Sequence, residues 1–391
     1  MKKSLIAFAV LGAFAANASA QSSVTIYGII DAATVYTTNQ LATPASSAGS
    51  KVSMEAGQMA VSRWGFKGTE DLGGGLKANF NFEGTLSNDS GTAGSAFGGD
   101  GKIGANGQFA AAGTTANLFD RNATVGLSGG FGTVNFGRQN MLGVDSLSLA
   151  DPLSAAHAAS NPNVVYSAMN SGALFGGFGA NGGGTALRQN NSIKYLTPMV
   201  SGFGGAAMYA FGEQAGNTSA NTYAGLAGYF TDGSSGVAFA YAKMKDATGN
   251  STLTLLGGGG KLKLDAVALK LTYVENTVDG GALNNRKIAV VGAGVDFALS
   301  PVTTLTAAYY DTKLSGLGSG KADQYIAMGK YALSKRSTIY ASYTYVKAGS
   351  TAAGDIAMSG GLLQYSSVTA TPKIGAPDSA NRIAVGINHS F

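Results

Sequence analysis

The chain ends with Arg382-Ile383-Ala384-Val385-Gly386-Ile387-Asn388-His389-Ser390-Phe391, and this closing segment is the clearest indicator of its architecture. Ile383, Val385, Ile387 and Phe391 fall on one parity, with His389 as the polar exception, and small or polar residues occupy the other parity. Because successive side chains of a β-strand point to opposite faces, the segment predicts a strand with one apolar and one polar face. Its length suits the roughly 9–11 residues with which a tilted strand crosses a bilayer.

The same alternation recurs along the chain. Apolar residues alternate with Lys77 and two asparagines in 76–82, Trp and Phe alternate with Arg63 in 58–67, and Ile, Ala and Tyr fall on one parity in 338–345. Further segments of this kind are 24–36, 118–128, 133–139, 191–197, 205–212, 222–230, 237–245, 287–299, 303–312 and 324–333. Two more strands are expected at 252–256 and 264–274, where the alternation is less regular. The pattern predicts sixteen strands, an even number as membrane barrels require.

The connections between these segments come in two alternating sizes. Short ones carry turn residues at 71–75, 128–132, 232–236, 300–301 and 334–336. Long ones, rich in Gly, Ala, Ser and Asn, occupy 38–52, 88–117, 140–189 and 347–379. Tight turns at one end and long loops at the other are typical of outer-membrane barrels. The sequence therefore predicts an all-β fold, a transmembrane antiparallel β-barrel.

The N-terminal segment has the three parts of a secretory signal. Two lysines at positions 2 and 3 precede an apolar run at 5–16, and Ala18-Ser19-Ala20 forms a small-x-small cleavage site. We therefore expect a signal peptide at 1–20, cleavage between Ala20 and Gln21, and one barrel domain at 21–391.

The composition excludes several classes of protein. Charged residues make up 12% of the chain, against about 25% in typical globular domains, and 59 of the 391 residues are glycine. The absence of cysteine excludes disulfides, cysteine-ligated metals and a lipoprotein anchor. Beyond the signal no apolar run reaches the roughly 18 residues of a spanning helix, and only helices and closed barrels satisfy the backbone in lipid. The small positive net charge without a basic cluster argues against nucleic acid as a partner, and no cofactor or metal is predicted.

Several dispersed stretches carry a family resemblance. They include Ser23-Val24-Thr25-Ile26-Tyr27-Gly28, Arg63-Trp64-Gly65-Phe66-Lys67-Gly68-Thr69-Glu70-Asp71-Leu72-Gly73-Gly74-Gly75-Leu76-Lys77, Phe136-Gly137-Arg138-Gln139 and the terminal segment. In these stretches the chain resembles the Gram-negative general porins, most closely the branch found in β-proteobacteria and neisseriae. The resemblance implies a homotrimer of 16-stranded barrels in the cell outer membrane, with the third long loop folded into each pore. It also implies passive diffusion of small hydrophilic solutes and ions through a water-filled channel.

The resemblance further implies a pore narrowed by the loop at 140–189, with acids on the loop and a basic wall opposite. The expected loop acids are Asp145 and Asp151. The expected wall residues are Arg63, Arg138 and Arg121. Because Arg138 shares its parity with apolar neighbours, a bulge or strand end must turn it inward.

Three further residues have expected roles in the pore or in assembly. Lys77 and Lys194 have lumen parity and are expected to line the pore. Phe391 is expected to serve as a signal to the barrel-assembly machinery, which the resemblance names as a partner. Outer-membrane lipid and lipopolysaccharide are the other expected partners. Arginines facing two acids predict a modest anion preference, because one unit charge about 4 Å from an ion is worth about 1 kcal/mol in water.

Three other functions remain open on sequence alone. An outer-membrane barrel enzyme would need a base, and the chain offers only His157 and His389. A soluble secreted β-protein would not need detergent for extraction. A substrate-specific channel would show saturation of its conductance by one solute.

Overall fold

The computed structural model describes residues 23–41, 48–93, 118–158, 178, 187–350 and 378–391. The predicted signal peptide and its cleavage site lie outside these residues, so both stay predictions. The strands are β1 (Ser23–Leu41), β2 (Ala48–Ala56), β3 (Arg63–Gly73), β4 (Leu76–Ser87), β5 (Thr92–Ala93), β6 (Asn122–Gly129), β7 (Gly132–Asn140), β8 (Arg188–Leu196), β9 (Phe203–Ala210), β10 (Tyr223–Thr231), β11 (Gly236–Lys245), β12 (Thr252–Leu264), β13 (Val267–Asp279), β14 (Arg286–Ser300), β15 (Thr303–Gly316), β16 (Gly320–Ala332), β17 (Ser337–Ala348) and β18 (Ser379–Ser390).

These elements form a closed antiparallel barrel of sixteen strands, which confirms the predicted fold. β2 and β3 both pair with β1 and act as one interrupted barrel strand, while β5 pairs only with the end of β4. The remaining strands pair with their sequence neighbours, and β18 pairs with β1 from Ile29↔Ser390 to Thr37↔Arg382. Because β18 pairs with β1, the sixteen barrel strands described form a closed ring without a free edge, as a sheet in lipid requires. Among the described residues, no helix is long and apolar enough to cross a membrane.

The two faces of the barrel wall differ in side-chain type. Along β11, Val237, Phe239 and Tyr241 are exposed, and the alternating alanines between them are buried. The face with exposed large apolar residues is the outer, lipid-facing surface, and the other face lines the lumen. The same parity places Arg63, Lys77 and Lys194 on the inner face, as predicted.

The five predicted short turns each separate two consecutive strands and are confirmed. The turn between β3 and β4 depends on three glycines, Gly73, Gly74 and Gly75, which all have positive φ (85°, 61° and 81°), a region that L side chains rarely adopt. The turns from β8 to β9 and from β12 to β13 lie at the same end of the barrel. The strand ends from which the long connections leave lie at the opposite end, which we call the loop end.

The sequence predictions fail at three places. The predicted strand at 58–67 is wrong in its first half, because 57–62 leaves the sheet, and the predicted loop at 38–52 is too long, since β1 and β2 extend into it. The predicted strand at 252–256 is too short. β12 continues through the glycines at 257–260, and two of them, Gly257 and Gly259, give the third loop room to lie on the wall.

Candidate functional site

An inward segment at 57–62 interrupts the second barrel strand. The buried carboxylate of Asp31 holds it: Oδ1 accepts the backbone N–H of Gln58 at 2.9 Å, and Oδ2 accepts that of Ala60 at 3.2 Å. The same carboxylate accepts the Tyr340 hydroxyl at 2.7 Å and the Asn388 amide at 2.9 Å. A buried carboxylate with four donors fixes this segment against β1, β17 and β18.

The third loop leaves β7 and runs along the inner wall. Helix α1 (Leu142–Leu147) packs on the inner faces of β9 to β12. Leu147 lies against Gly257, and a Cβ on Gly259 would approach the Ala150 Cβ to 2.8 Å. Gly257 and Gly259, the inward-facing glycines of the run in β12, therefore let the loop lie close to the wall.

Asp145 and Lys194 meet where the loop begins. The Lys194 ammonium donates to Asp145 Oδ2 at 2.7 Å, and the Asn140 amide donates to Asp145 Oδ1 at 2.9 Å. The Lys194 side chain is 5% exposed and that of Asp145 is 41% exposed. Because the two opposite charges are only 2.7 Å apart, each cancels most of the electric field that the other would produce in the lumen.

Asp151 ties the middle of the loop to the wall. Its Oδ1 accepts the Tyr310 hydroxyl at 3.0 Å, and its Oδ2 accepts the backbone N–H groups of Leu153 (3.0 Å) and Ala155 (2.6 Å). Burial raises the pKa of this carboxyl, while these hydrogen bonds act in the opposite direction. Asp151 is 1% exposed, so the structure favours an anchoring role, and its predicted role at the narrowing stays a prediction.

The last described part of the loop reaches the inward segment. His157 is buried with its Nε2 3.5 Å from the Ser342 hydroxyl of β17, and the Ala158 N–H donates to the Gln58 carbonyl at 3.0 Å. Burial, and then the positive charge of Arg382, lower the pKa of His157 to about 3. Residues 141–158 thus cross the inside of the barrel from β7 to 57–62. The rest of the loop, apart from Phe178, lies outside the described residues up to 186.

A basic cluster occupies the wall across the lumen from Asp151. Arg121 donates from Nε to Glu83 Oε1 at 2.6 Å, and Arg63 donates from Nε to the Val61 carbonyl at 3.0 Å. Arg63 lies within electrostatic range of both Arg121 and Glu83. The inward segment places Arg63 here, because β3 resumes at this residue.

Arg138 joins the cluster through a strand irregularity. The pairing of β7 with β8 shifts between Gly137 and Gln139, with Gly137 at φ 122° and Asn191 of β8 at φ 51°. The Arg138 guanidinium donates to the Asp120 carbonyl and to Asn190 Oδ1, both at 2.6 Å. The bulge required by the parity of Arg138 is therefore present.

Arg188 is the member of this cluster that the sequence prediction missed. It is buried at the start of β8, within electrostatic range of Arg121, Arg138 and Glu83, and its Nε has no hydrogen-bond partner within the described ranges. The predicted strand began only at 191, which left Arg188 in the loop. The irregularity at Asn191 reverses the alternation between Lys194 and Arg188, so the strand pattern did not indicate this residue.

The remaining predicted residues lie apart from the cluster. Lys77 is exposed at the start of β4, by the short turn. Between the turn end and the arginines lies a polar recess of about 390 Å³, whose lining includes Thr25, Asn79, Asn81 and Asn135. In the described part of the chain no group of three or more His, Cys, Asp or Glu residues could hold a metal ion.

Phe391 completes the barrel closure. Its N–H donates to the Gly28 carbonyl at 3.1 Å, its carbonyl accepts the Gly28 N–H at 3.2 Å, and its ring covers Gly28 on the outer face. His389 lies near it, 2.9 Å from the Ser337 hydroxyl and far along the chain from His157.

Comparisons with known proteins agree with this geometry. A family model described as Gram-negative porin matches residues 7–351. The chain is 32% identical over 407 residues to outer membrane porin protein 32 of Delftia acidovorans, covering 100% of both chains. It is 31% identical over 232 residues to major outer membrane protein P.IB of Neisseria gonorrhoeae, covering 58% of this chain and 53% of that protein. A solved anion-selective porin from Comamonas acidovorans superposes with a TM-score of 0.72 at 25% identity, covering 95% of this chain and 100% of that one.

Proposed function

The chain belongs to the Gram-negative porin family, and from this premise we propose that its channel prefers anions. It is an outer-membrane barrel through which small hydrophilic solutes and ions diffuse passively. The observation that carries the proposal is the cluster of Arg63, Arg121, Arg138 and Arg188 on one side of the lumen. Among the described residues, the carboxylates within electrostatic range of this cluster are Glu83 and Asp120.

The two carboxylates have different hydrogen-bond partners. Glu83 pairs directly with Arg121. Asp120 accepts the Thr85 N–H at 2.7 Å and the Thr85 hydroxyl at 2.8 Å, and it lies within electrostatic range of Arg138 and Arg188. Four guanidiniums outnumber these two carboxylates. The wall therefore keeps a net positive charge.

The third loop supplies little negative charge to set against this wall. Lys194 pairs with Asp145, and Asp151 is buried away from the passage. One unbalanced unit charge about 4 Å from an ion is worth about 1 kcal/mol in water, roughly a fivefold bias before salt screening. Several guanidiniums partly balanced by two acids support a modest preference. The anion selectivity named for the Comamonas protein agrees with this proposal.

Single-channel reversal potentials in a potassium chloride gradient test the proposal. The sign of the potential should report a chloride permeability above that of potassium. Replacing potassium by lithium, or chloride by acetate, should then change the conductance by different amounts, and the replacement of chloride should cause the larger change. A potassium permeability equal to or above that of chloride would contradict the proposal.

We further propose that the chain acts as a homotrimer. An aromatic cluster on the outer face near the loop end supports this: Phe66 lies 5.3 Å from Phe82, which lies 5.1 Å from Phe119, with Trp64 beside them (ring centroids). Insertion into planar bilayers in three equal current steps is the expected result, and single steps throughout would argue against the trimer.

Two proposals concern export and assembly. We propose that residues 1–20 are removed as a signal peptide and that the barrel-assembly machinery recognises Phe391. N-terminal sequencing of the protein from outer membranes should begin at Gln21. The partners of Phe391 on Gly28 support a role in closing the barrel, so its recognition must precede closure.

A further inference from the structure

The polar recess between the turn end and the basic cluster has the size and the lining of a small-molecule site. Its volume is about 390 Å³, within the range of about 300–1,000 Å³ that such sites occupy. Five neighbouring strands of the barrel, β1, β3, β4, β6 and β7, form its wall. Hydroxyl and carboxamide side chains predominate in its lining, among them Thr25, Thr69, Asn79, Asn81, Asn122 and Asn135.

One asparagine of the recess is fixed by the wall itself. Asn79 Oδ1 accepts the Thr69 hydroxyl at 3.2 Å, and Asn79 Nδ2 donates to the Ser128 hydroxyl at 2.9 Å. These two hydrogen bonds join β3, β4 and β6. This part of the recess is therefore ordered before a solute arrives, which lowers the entropy cost of binding.

Three other asparagines present unused hydrogen-bonding groups. Asn81 Oδ1 accepts the Tyr27 hydroxyl at 2.8 Å, and Asn122 Oδ1 accepts the Thr124 hydroxyl at 2.9 Å. The amide nitrogens of Asn81 and Asn122 have no hydrogen-bond partner in the described part of the chain, and neither end of the Asn135 amide has one. Each amide nitrogen can donate twice, and each amide oxygen can accept twice. The recess thus offers several donors and acceptors within a small volume.

The chemistry of this lining matches a hydroxyl-rich solute. A hydroxyl donates one hydrogen bond and accepts two, so adjacent hydroxyls pair well with amides that both donate and accept. The described lining contains no carboxylate, so it lacks a partner for the ammonium group of an amino acid or an amine. Its one charged residue is Lys67, whose ammonium lies 5.2 Å from the centre of the Tyr27 ring. An inorganic anion therefore finds a stronger site at the arginines than in the recess.

The recess lies next to the basic cluster on the path through the pore. Tyr27 connects the two, because its hydroxyl lies 2.8 Å from Asn81 Oδ1 and 3.1 Å from Glu83 Oε2, and Glu83 pairs with Arg121. Asn79, Asn81 and Glu83 are successive inner-face residues of β4, spaced about 7 Å apart. A solute that has passed the arginines toward the turn end therefore reaches the amides directly.

We propose that the recess is a binding subsite for hydroxyl-rich solutes of monosaccharide size. The amides of Asn81, Asn122 and Asn135 bind adjacent hydroxyls, and the fixed amide of Asn79 keeps the wall between them in place. The bonds are few and mostly neutral, so binding is weak and reversible, and a bound solute narrows the path of the ions. The inference rests on passive diffusion through the pore and does not depend on the anion preference.

Single channels of the full mature protein in planar bilayers test the proposal, with D-glucose as the probe. The comparison solute is triethylene glycol dimethyl ether at the same bulk conductivity, because its oxygens accept hydrogen bonds but cannot donate them. The variant Asn122→Leu/Asn135→Leu removes two amides from the recess with little change of shape. The matched control, Asn276→Leu/Gln324→Leu, removes two amides from the inner face outside the recess, where neither side chain has a described hydrogen-bond partner.

Heat-modifiable migration on gels shows that each barrel is folded. Asn135→Leu alone breaks no described hydrogen bond of the side chain, and it replaces the double variant if that variant yields no barrel. Glucose should lower the wild-type conductance more than the ether does, and the effect should saturate and add noise to the open-channel current. The recess variant should bind glucose about fivefold more weakly for each amide removed, whereas the control should match the wild type.

Equal glucose affinity of the recess variant and the control would overturn the proposal. So would a wild-type conductance that follows the bulk conductivity in both solutes, or an effect of the ether as large as that of glucose. The reversal potential of the recess variant should equal that of the wild type, because no charge is removed. Loss of the glucose site and loss of the anion preference are thus separate results in the same experiment.

Discussion

Replacing Glu83 with glutamine should increase the preference of the channel for anions. Glu83 accepts Arg121 Nε at 2.6 Å on Oε1 and the Tyr27 hydroxyl at 3.1 Å on Oε2. A glutamine can still accept a hydrogen bond at this position, so the substitution removes one negative charge with little change of shape. The positive charge of Arg121, and that of Arg63 beside it, would then be less balanced.

The size of the effect follows from Coulomb's law in a wet pore. An ion passing about 4–6 Å from the carboxylate position feels a change of roughly 0.7–1 kcal/mol in water, or about threefold to fivefold in permeability. Salt at about 0.1 M has a screening length near 10 Å and reduces this only in part. We expect the chloride-to-potassium permeability ratio to rise about twofold to fourfold in Glu83→Gln, and to fall by a similar factor in Arg63→Gln.

Reversal potentials of single channels in a potassium chloride gradient measure both changes. Lys77→Gln is the matched control, because Lys77 lies exposed at the turn end and should alter the ratio least. Opposite shifts for Glu83→Gln and Arg63→Gln are the decisive signature. Shifts of the same sign, or an effect of Lys77→Gln as large as either, would refute the assignment of the narrowing to the arginine wall.

Four further predictions concern the loop and the closure. The pKa of His157 is lowered to about 3, so the stability that its neutral form gives to the docked loop is fully present above the ordinary histidine pKa of about 6.5 and is lost as the pH falls toward 3. Channel closures should therefore increase at about pH 4 in the wild type but not in His157→Gln. An unchanged acid response in that variant would count against the loop contact. Asp151, with a raised pKa, acts in the opposite sense, so Asp151→Asn should make the acid response steeper. Gly294→Ala would place a Cβ 2.6 Å from the Pro152 Cβ and should displace the loop, seen as faster proteolysis of the loop in the folded barrel; wild-type cleavage rates would contradict this. Deleting Phe391 removes two backbone hydrogen bonds, each worth about 0.5–1.5 kcal/mol, and should reduce the yield of heat-modifiable barrel, whereas a normal yield would speak against its role in closure.

The strands and short turns were predictable because they depend on local signals. Alternation with period two fixes which side chains face the lumen, and glycines such as Gly73 and Gly75 mark a turn that requires positive φ. The same local reasoning required a bulge at Arg138, and the register shift beside Gly137 supplies it. In a barrel of this kind each strand pairs with its neighbour in sequence, so the order and the pairing of the strands follow once the strands themselves are identified.

The interior was less predictable because its contacts join distant parts of the chain. The inward segment at 57–62 depends on Asp31, whose carboxylate also binds Asn388, 357 residues away. Nothing in the local pattern of 58–67 indicates that a strand pauses there. The length of β12 had a related cause, since Gly257 and Gly259 lie against Leu147 and Ala150 of a loop more than a hundred residues earlier.

The charge balance of the pore is set by which ionisable groups have local partners, and a count of charges in the sequence does not reveal it. Asp145 and Asp151 are both acidic residues of the loop, yet one forms an ion pair with Lys194 and the other is enclosed by hydrogen-bond donors. On the opposite wall Glu83 pairs with Arg121 at 2.6 Å, and Asp120 lies within electrostatic range of Arg138 and Arg188, so four guanidiniums face two described carboxylates. The acids therefore mainly hold the loop in place, and the arginines provide the field that a passing ion meets. A substitution that released Asp145 from Lys194, such as Lys194→Met, should consequently weaken the anion preference although it lies outside the arginine cluster.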